Sequence, residues 1–462
     1  FLNDVTNYHN RGDSTWTGTS VYDGDFFGLD DLFTEKPEVV VGWTANWSSW
    51  ITRFNIDGYR VDTAKHVNPE FWNAFIPKIL ATAKAAGKKQ FPIFGEVADS
   101  DPRTLATFVK EQQFNSVLDF GFQSAVAKFV VSGGGLDGVV NLFNADDMYT
   151  SATTSAYSLT TFLGNHDMGR IGQFIADSTS NEAEALARAQ LANTLLLTLR
   201  GAPALYYGDE KGMTGAGGDQ LARQDFFPTL VEPWQSERRI GGTPIGTASA
   251  FDVKNPLEVQ VSALNALRKS DPALGQGGQQ IRYAREGLFA FSRFLNGQEI
   301  VVLANGQNDL VNANIPVSTS GSTWKTLLGK ADVNPSGNNL AVTVPALGWA
   351  ILKADTRYQS STALKISLDE PENSYATNGW SLLTAFVPGD DFVEVTFVAR
   401  NPGKPWVTIG TSDRRTFDAA RNHRIYMYDR LFKSGSTVEI IAIAKNAKGE
   451  IAVSNSQKWK IS

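Results

Sequence analysis

The sequence contains no cysteine, which removes disulfides, thiolate nucleophiles and cysteine-based metal centres from consideration. Histidine is nearly as scarce. His9, His66, His166 and His423 are the only ones, too few and too scattered for a multi-histidine metal centre. No apolar run approaches the roughly 20 residues that a membrane-spanning helix needs, so no membrane is expected as a partner. Basic runs are missing too, and the net charge is −6; both argue against nucleic acid as a partner. The chain opens on Phe1 with no initiator Met and no leader, and is expected to be a portion of something longer. Zero cysteine fits a bacterial exported protein, extracellular or periplasmic.

What is present is ordinary for a globular protein: 42% apolar and 19% charged residues over 462 positions, enough for two to four domains with sizeable cores. Aromatics are plentiful, with 11 Trp and 28 Phe, and aromatic faces are what sugar rings stack on. The stretch Gly58-Tyr59-Arg60-Val61-Asp62-Thr63-Ala64-Lys65-His66 organises the rest. It reads as a buried strand whose last residues emerge just before a helix opened by Pro69, with Phe71, Trp72, Phe75, Ile76, Ile79 and Leu80 on one stripe. Strand side chains alternate with period two, so Arg60 and Asp62 point to the same side. By itself Arg-x-Asp is equally a structural ion pair or a guanidinium holding a working carboxylate ionised.

Four further strand-then-helix units follow: an apolar run from Phe91 ending in Gly95-Glu96, a short strand over 116–120, a strand over 159–163 leading to Asn165-His166-Asp167, and a strand over 203–207 ending in Asp209-Glu210. Such alternation predicts a parallel sheet in an α/β fold. Acidic residues closing its strands predict a barrel-type active face, on which Asp62, Glu96 and Asp167 would converge. Asp119 also closes a strand, but without a motif it reads as structural. His9 reads as a surface or cleft residue. Trp43, Trp47 and Trp50 recur at helical spacing ahead of the first strand and read as core. From Ile281 the pattern changes to alternation and turns, predicting a small antiparallel domain to 355, a polar linker over 356–362, and a β-sandwich of immunoglobulin or fibronectin type over 363–462 that folds on its own core. For Trp380 and Trp406 in that sandwich, a ring-stacking surface and core packing both stay open.

Taken together, Gly-Tyr-Arg-Val-Asp-Thr-Ala-Lys-His (58–66), Phe-Gly-Glu-Val (94–97) and Phe-Leu-Gly-Asn-His-Asp (162–167) resemble three signature regions of the α-amylase family of retaining glycoside hydrolases. Gly-Ala-Pro-Ala-Leu-Tyr-Tyr-Gly-Asp-Glu (201–210) is similar to the eighth barrel strand of that family. The resemblance covers roughly residues 8–355 and implies a (β/α)8 barrel of which only the last five strands are present. In its terms residues 1–35 are the remnant of a loop-rich insertion domain, 36–280 the C-terminal part of the catalytic barrel, 281–355 the antiparallel β domain, and 363–462 an accessory sandwich. The missing N-terminal barrel segment would then be a partner needed for a complete site.

The resemblance further implies roles. Asp62 is the expected nucleophile, Glu96 the general acid/base, and Asp167 the carboxylate that stabilises the transition state. Arg60 and His166 are expected at the cleavage subsite, Lys65 and His66 on the leaving-group side, Phe27 at the centre of the cleft, and Asp219 with Arg223 further along the sugar groove. Tyr8-His9-Asn10 and Gly28-Leu29-Asp30-Asp31-Leu32 are nearest to α-amylases and cyclodextrin glucanotransferases. That likeness implies Ca²⁺ bound by the Asp31 carboxylate and the main-chain carbonyls of Tyr22 and His66, and oxygen-only ligation suits a hard cation. The expected substrate is a starch-like α-glucan, cleaved at α-1,4 bonds with retention. Transglycosylation or cyclodextrin activity stays open, as does a non-catalytic fragment or fold-only relative that binds glucan. The chemistry requires one neutral and one ionised carboxyl at the same pH; Arg60 should lower Asp62, and apolar Phe94 and Val97 should raise Glu96.

Overall fold

Short strands, each handed on to a helix, carry the first part of the chain, and antiparallel sheets carry the rest. The computed structural model describes residues 1–360, 363–373, 379–389 and 392–461. Residues 361–362 of the expected linker, and 374–378, 390–391 and 462 of the expected sandwich, lie outside the described residues. Two units form: Phe1–Phe120 with Ser158–Thr160, and Gly121–Tyr157 with Thr161–Ser462.

In the first unit, helix α1 (Pro37–Phe54) starts on a proline, whose missing N–H costs nothing there, and stops at Asn55 in the left-handed conformation. Strand β1 (Tyr59–Val61) follows, then α2 (Pro69–Ala85), β2 (Ile93–Gly95), α3 (Pro102–Lys110) and β3 (Ser116–Val117). The three strands are parallel in the order β1-β2-β3, with Tyr59 opposite Ile93 and Phe94 opposite Ser116. The expected stripe of α2 is its core face: Phe71, Trp72, Phe75, Ile76 and Ile79 are all buried. The α1 tryptophans correct the expectation. Trp47 packs on Tyr59 and Phe75 at 4.4 and 5.1 Å, but Trp50 is 49% exposed. Helical spacing fixes which residues share a stripe, and here the buried positions are Val39, Val40 and Ile51, so Trp50 falls past the edge of the covered face.

The strands are also shorter than their apolar runs. β3 ends before Asp119 because Phe120 opens α4 (Phe120–Ser132). Strand β4 (Thr160–Thr161) is bridged in parallel, through Thr160, to Leu118. In the second unit β5 covers only Ala202–Pro203, and the Ala204 N–H reaches the Thr161 carbonyl at 2.8 Å. The predicted continuation through Tyr207 is instead a turn into a 3₁₀ segment, Asp209–Lys211. Helices α5 (Leu136–Asn144), α6 (Ile171–Ser178), α7 (Glu182–Thr198) and α8 (Pro256–Ser270) join Phe289, Phe291, Ile300 and Val302 of the next domain in one core.

That domain has two antiparallel sheets. One runs Trp324–Gly329, Trp349–Ala354, Gln298–Asn305, Leu288–Leu295, Gly278–Arg285; the other runs Asp332–Ser336, Asn339–Val344, Val311–Pro316. The final residues form two further antiparallel sheets whose inner faces share a core that includes Leu383, Ile425, Val395, Phe397 and Ile440, which is the packing of a sandwich. Trp380 is buried there, while Trp406 lies under the Arg400 guanidinium at 4.2 Å. The described part of the linker is packed rather than loose: the Tyr358 N–H bonds the Gly297 carbonyl at 2.7 Å and its ring meets Phe392 at 4.7 Å. A buried ionic seam also joins the sandwich to the segment between α5 and β4. Asp146 pairs with Arg200 at 2.5 Å, and Asp147 with Arg414 at 2.7 Å and Arg424 at 3.2 Å.

Candidate active site

The end of β1 is locked to the end of β2 by backbone bonds from Glu96 N–H to Val61 C=O, 2.7 Å, and from Ala64 N–H to Glu96 C=O, 3.0 Å. Between them Thr63 adopts φ +47°, a left-handed conformation disfavoured for a β-branched residue and common at functional turns. Close approach is allowed by Gly58, where a Cβ would lie 2.5 Å from the Pro92 carbonyl oxygen. The result is one guanidinium forked between two acids: Arg60 reaches Asp62 Oδ1 and Glu96 Oε1, each at 2.8 Å.

The two carboxyls differ in surroundings and therefore in charge. Glu96 has a side chain only 11% exposed against 69% for Asp62. Burial, then the hydrogen bond it gives Asp62, raises Glu96 to about 7, while Asp62 is lowered, first by that same bond and further by Arg60. The split has the expected sign. Its leading cause for Asp62 is the neighbouring acid rather than the arginine, because a neutral Glu96 is a proton donor held against it.

Lys65 pairs with Asp99 at 2.9 Å. His66 packs edge-on to Trp16 and Phe26 at 5.5 and 5.0 Å, with its Nδ1 3.2 Å from the Val21 carbonyl. Desolvation holds its pKa below the ordinary imidazole value. Phe27 is 79% exposed and joins Trp16 and Phe26 in an aromatic cluster. Asp31 meets His9 Nδ1 at 2.5 Å, and His9 Nε2 meets Glu35 at 3.1 Å. The reading of His9 as a surface or cleft residue is thereby corrected, since its side chain is 4% exposed between two acids.

The second unit assembles the other group. Asp167 does not close a strand, as its apolar run suggested. It lies in a turn in which the Asn165 side chain accepts from the N–H groups of Asp167 and Met168, at 3.0 and 2.9 Å, the local bonding by which asparagine competes with strand pairing. His166 Nε2 is 3.2 Å from Asp167 Oδ2. Asp219 and Arg223 form an ion pair, and ligand atoms of His166, Asp167 and Asp219 lie within 4.8 Å of one another. The Gly218 N–H bonds the Asp167 carbonyl at 2.8 Å, so the Asp219 loop and the Asp167 turn are one construction.

Comparison with known proteins gives the family. Residues 4–238 match the model of the α-amylase catalytic domain, and residues 279–351 that of the maltogenic amylase C-terminal domain. The chain belongs to the α-amylase family. Within it, the chain is 38% identical to an α-amylase of Streptomyces lividans over 98% of its own length and 49% of that protein's. It therefore spans about half the length of that relative. A cyclomaltodextrin glucanotransferase of Klebsiella oxytoca is 22% identical, covering 81% of this chain and 58% of that one. Among solved structures, an Anoxybacillus α-amylase superposes with a TM-score of 0.64 at 25% identity, covering 78% of this chain and 73% of that one.

Sequence reading passed over Arg170, a fully buried arginine three residues beyond the Asp167 carboxylate. The available signal was its placement between a turn motif and an apolar helix, followed by the glycine-rich run Gly215–Gly218.

Proposed function

We propose that the protein hydrolyses α-1,4-glucosidic bonds of starch-like α-glucans with retention of configuration. The Arg60–Asp62–Glu96 set carries the reading: one carboxyl stays protonated near neutrality while its hydrogen-bonded neighbour is ionised. Glu96 gives its proton to the glycosidic oxygen as the Asp62 carboxylate attacks the anomeric carbon. The leaving sugar departs with that proton, and a glycosyl ester on Asp62 remains. Water then attacks the same carbon, loses its proton to Glu96 and frees Asp62. A direct carboxyl–carboxyl hydrogen bond supports retention, because an inverting pair stands roughly 6.5–9.5 Å apart to hold a water between its acids. Asp167 is assigned to stabilising the oxocarbenium-like state; His166, Lys65, His66, Phe27, Asp219 and Arg223 are assigned to the sugar. A sugar hydroxyl in place of water gives transglycosylation, the second reading, supported by the name of the Klebsiella oxytoca relative. The fold-only reading is disfavoured, since a binder gains nothing from splitting two pKa values. A polymeric substrate supports an extracellular or periplasmic location.

Ca²⁺ belongs to the same proposal. Asp31 is a desolvated carboxylate, pushed up to about 6 by burial against the pull of His9, and the turn holding Tyr22 packs on the one ending in His66. One carboxylate and two carbonyls fit a hard cation, which would tie the loop-rich residues to the end of β1. Chelation should lower Tm, and Asp31→Asn should abolish the effect of chelation. A Tm indifferent to both removes calcium from the proposal.

Within the first unit β1 pairs with β2 alone, and Val41, Trp50 and Phe54 of α1 are exposed. An open edge beside an apolar face supports completion of the barrel by further β/α units. The test is a product profile on soluble starch and cyclodextrins, with the first-formed anomer followed by NMR. An α-anomer supports retention, a β-anomer overturns it. Silence of residues 1–462, relieved by adding upstream β/α units, supports barrel completion and leaves the site assignment intact.

A further inference from the structure

Arg170 is the largest charged side chain with no exposure near the Asp167 turn, and every face of its guanidinium is used. Nε donates to Gln224 Oε1 at 2.9 Å, and Nη2 to the Ala222 carbonyl at 2.9 Å. Nη1 donates to Asp209 Oδ1 at 2.9 Å and to the Tyr207 carbonyl at 2.5 Å. The rings of Tyr206 and Tyr207 lie 4.4 and 5.0 Å from the guanidinium carbon. Its own N–H bonds the Gly215 carbonyl at 2.9 Å. Three separate stretches are thus stapled to one planar cation: the Asn165–Gly169 turn, the residues beyond β5, and the arm that follows Asp219.

The turn is otherwise held by the Asn165 side chain and by backbone bonds. A Cβ at Gly217 would lie 2.7 Å from the Asp167 carbonyl oxygen, and one at Gly169 2.8 Å from the Gly217 nitrogen. Backbone therefore packs directly on backbone around Asp167, with few side chains to wedge it. A buried cation is costly unless fully paired. Here the pairing goes to Tyr207, Asp209, Ala222 and Gln224 rather than to substrate.

We propose that Arg170 is a positioning residue that sets the Asp167 turn against the Asp219–Arg223 arm; the inference rests on the reading of Asp167 as a catalytic carboxylate. Arg170 touches no reacting atom. It acts by holding Asp167 where charge develops in the transition state, and misplacement on the order of 1 Å can cost 10²-fold in rate.

R170K in the full chain keeps the charge but loses the planar fork. Its kcat on starch should fall about 10- to 100-fold with KM within about twofold. Amide exchange at 165–169 and 218–224 should accelerate together. On a D167N background R170K should add no further loss, because it acts through Asp167. Additive losses, or unchanged exchange at 165–169, overturn the proposal. D209N, which keeps an oxygen toward Nη1, supplies a milder variant should R170K not fold: a smaller loss of kcat, again absent on D167N, supports the proposal, and an additive one overturns it. Should D167N itself retain full turnover, the catalytic reading of Asp167 fails, and joint exchange of the two segments still decides whether Arg170 couples them.

Discussion

Two arginine–carboxylate clusters in this molecule use the same chemistry to opposite ends. In the first unit a single guanidinium is shared between Asp62 and Glu96, partly open to solvent. In the second, Asp146 and Asp147 are buried and met by three: Arg200, Arg414 and Arg424. There three cations serve two acids, and the pairing joins distant parts of the chain. Where two acids share one cation, the shortage is settled by a proton that stays on Glu96. In the proposed mechanism that proton goes to the glycosidic oxygen. Burial holds Asp147 above the ordinary carboxylate value, against the pull of Arg414 and Arg424.

The comparison is broken most directly by Glu96→Gln. Turnover on starch should fall by on the order of 10²–10⁴ or more, since in the proposed mechanism Glu96 is acid and then base, with oligosaccharide binding retained. Its Tm should equal or exceed the wild-type value, because a carboxyl held above its ordinary pKa costs folded stability once ionised. Near wild-type turnover sinks the assignment. In the seam, Arg414→Met leaves a buried charge short of a partner and should cost about 3–5 kcal/mol of unfolding free energy, read by denaturant titration. The pH–rate profile should keep its shape.

That profile sharpens the contrast further. In the wild type, kcat/KM should decline as pH rises through about 7, where Glu96 loses its proton. Arg60→Gln removes a cation that lowers both acids, so the alkaline limb should move to higher pH on whatever activity remains. A downward move would show that Arg60 does not govern the pair. The smallest effect is reserved for an exposed pair, Arg238–Glu182 at 2.9 Å: Glu182→Gln should change stability by less than about 1 kcal/mol.

What the sequence disclosed follows the range of each interaction. Asp62 and Glu96 were legible because each follows its strand directly and strand periodicity orients the side chains. Pro69 marked a helix start that the structure keeps. The turn of Asp167 was misread as a strand end, because its shape is decided by the Asn165 side chain rather than by apolar periodicity. Trp50 was misread since spacing reports a stripe and not its width. The seam was invisible, Arg414 and Asp147 being 267 residues apart. The two sheets of the sandwich share one core, yet that core does not account for the seam.

The seam bears on recombination. Domains of this kind invite exchange between relatives, and a crossover in the linker near residue 356 offers a clean cut when only the chain path is considered. Such a chimera would lose Arg414 and Arg424, leaving Asp146 and Asp147 with Arg200 alone. It would also lose the paired bonds between Asn144 and the Phe417 main chain, at 2.8 and 3.4 Å, and the contact of the Tyr157 hydroxyl with Asp413 at 3.1 Å. A transplantable module therefore has two pieces, the sandwich and residues 144–157, and they must travel together.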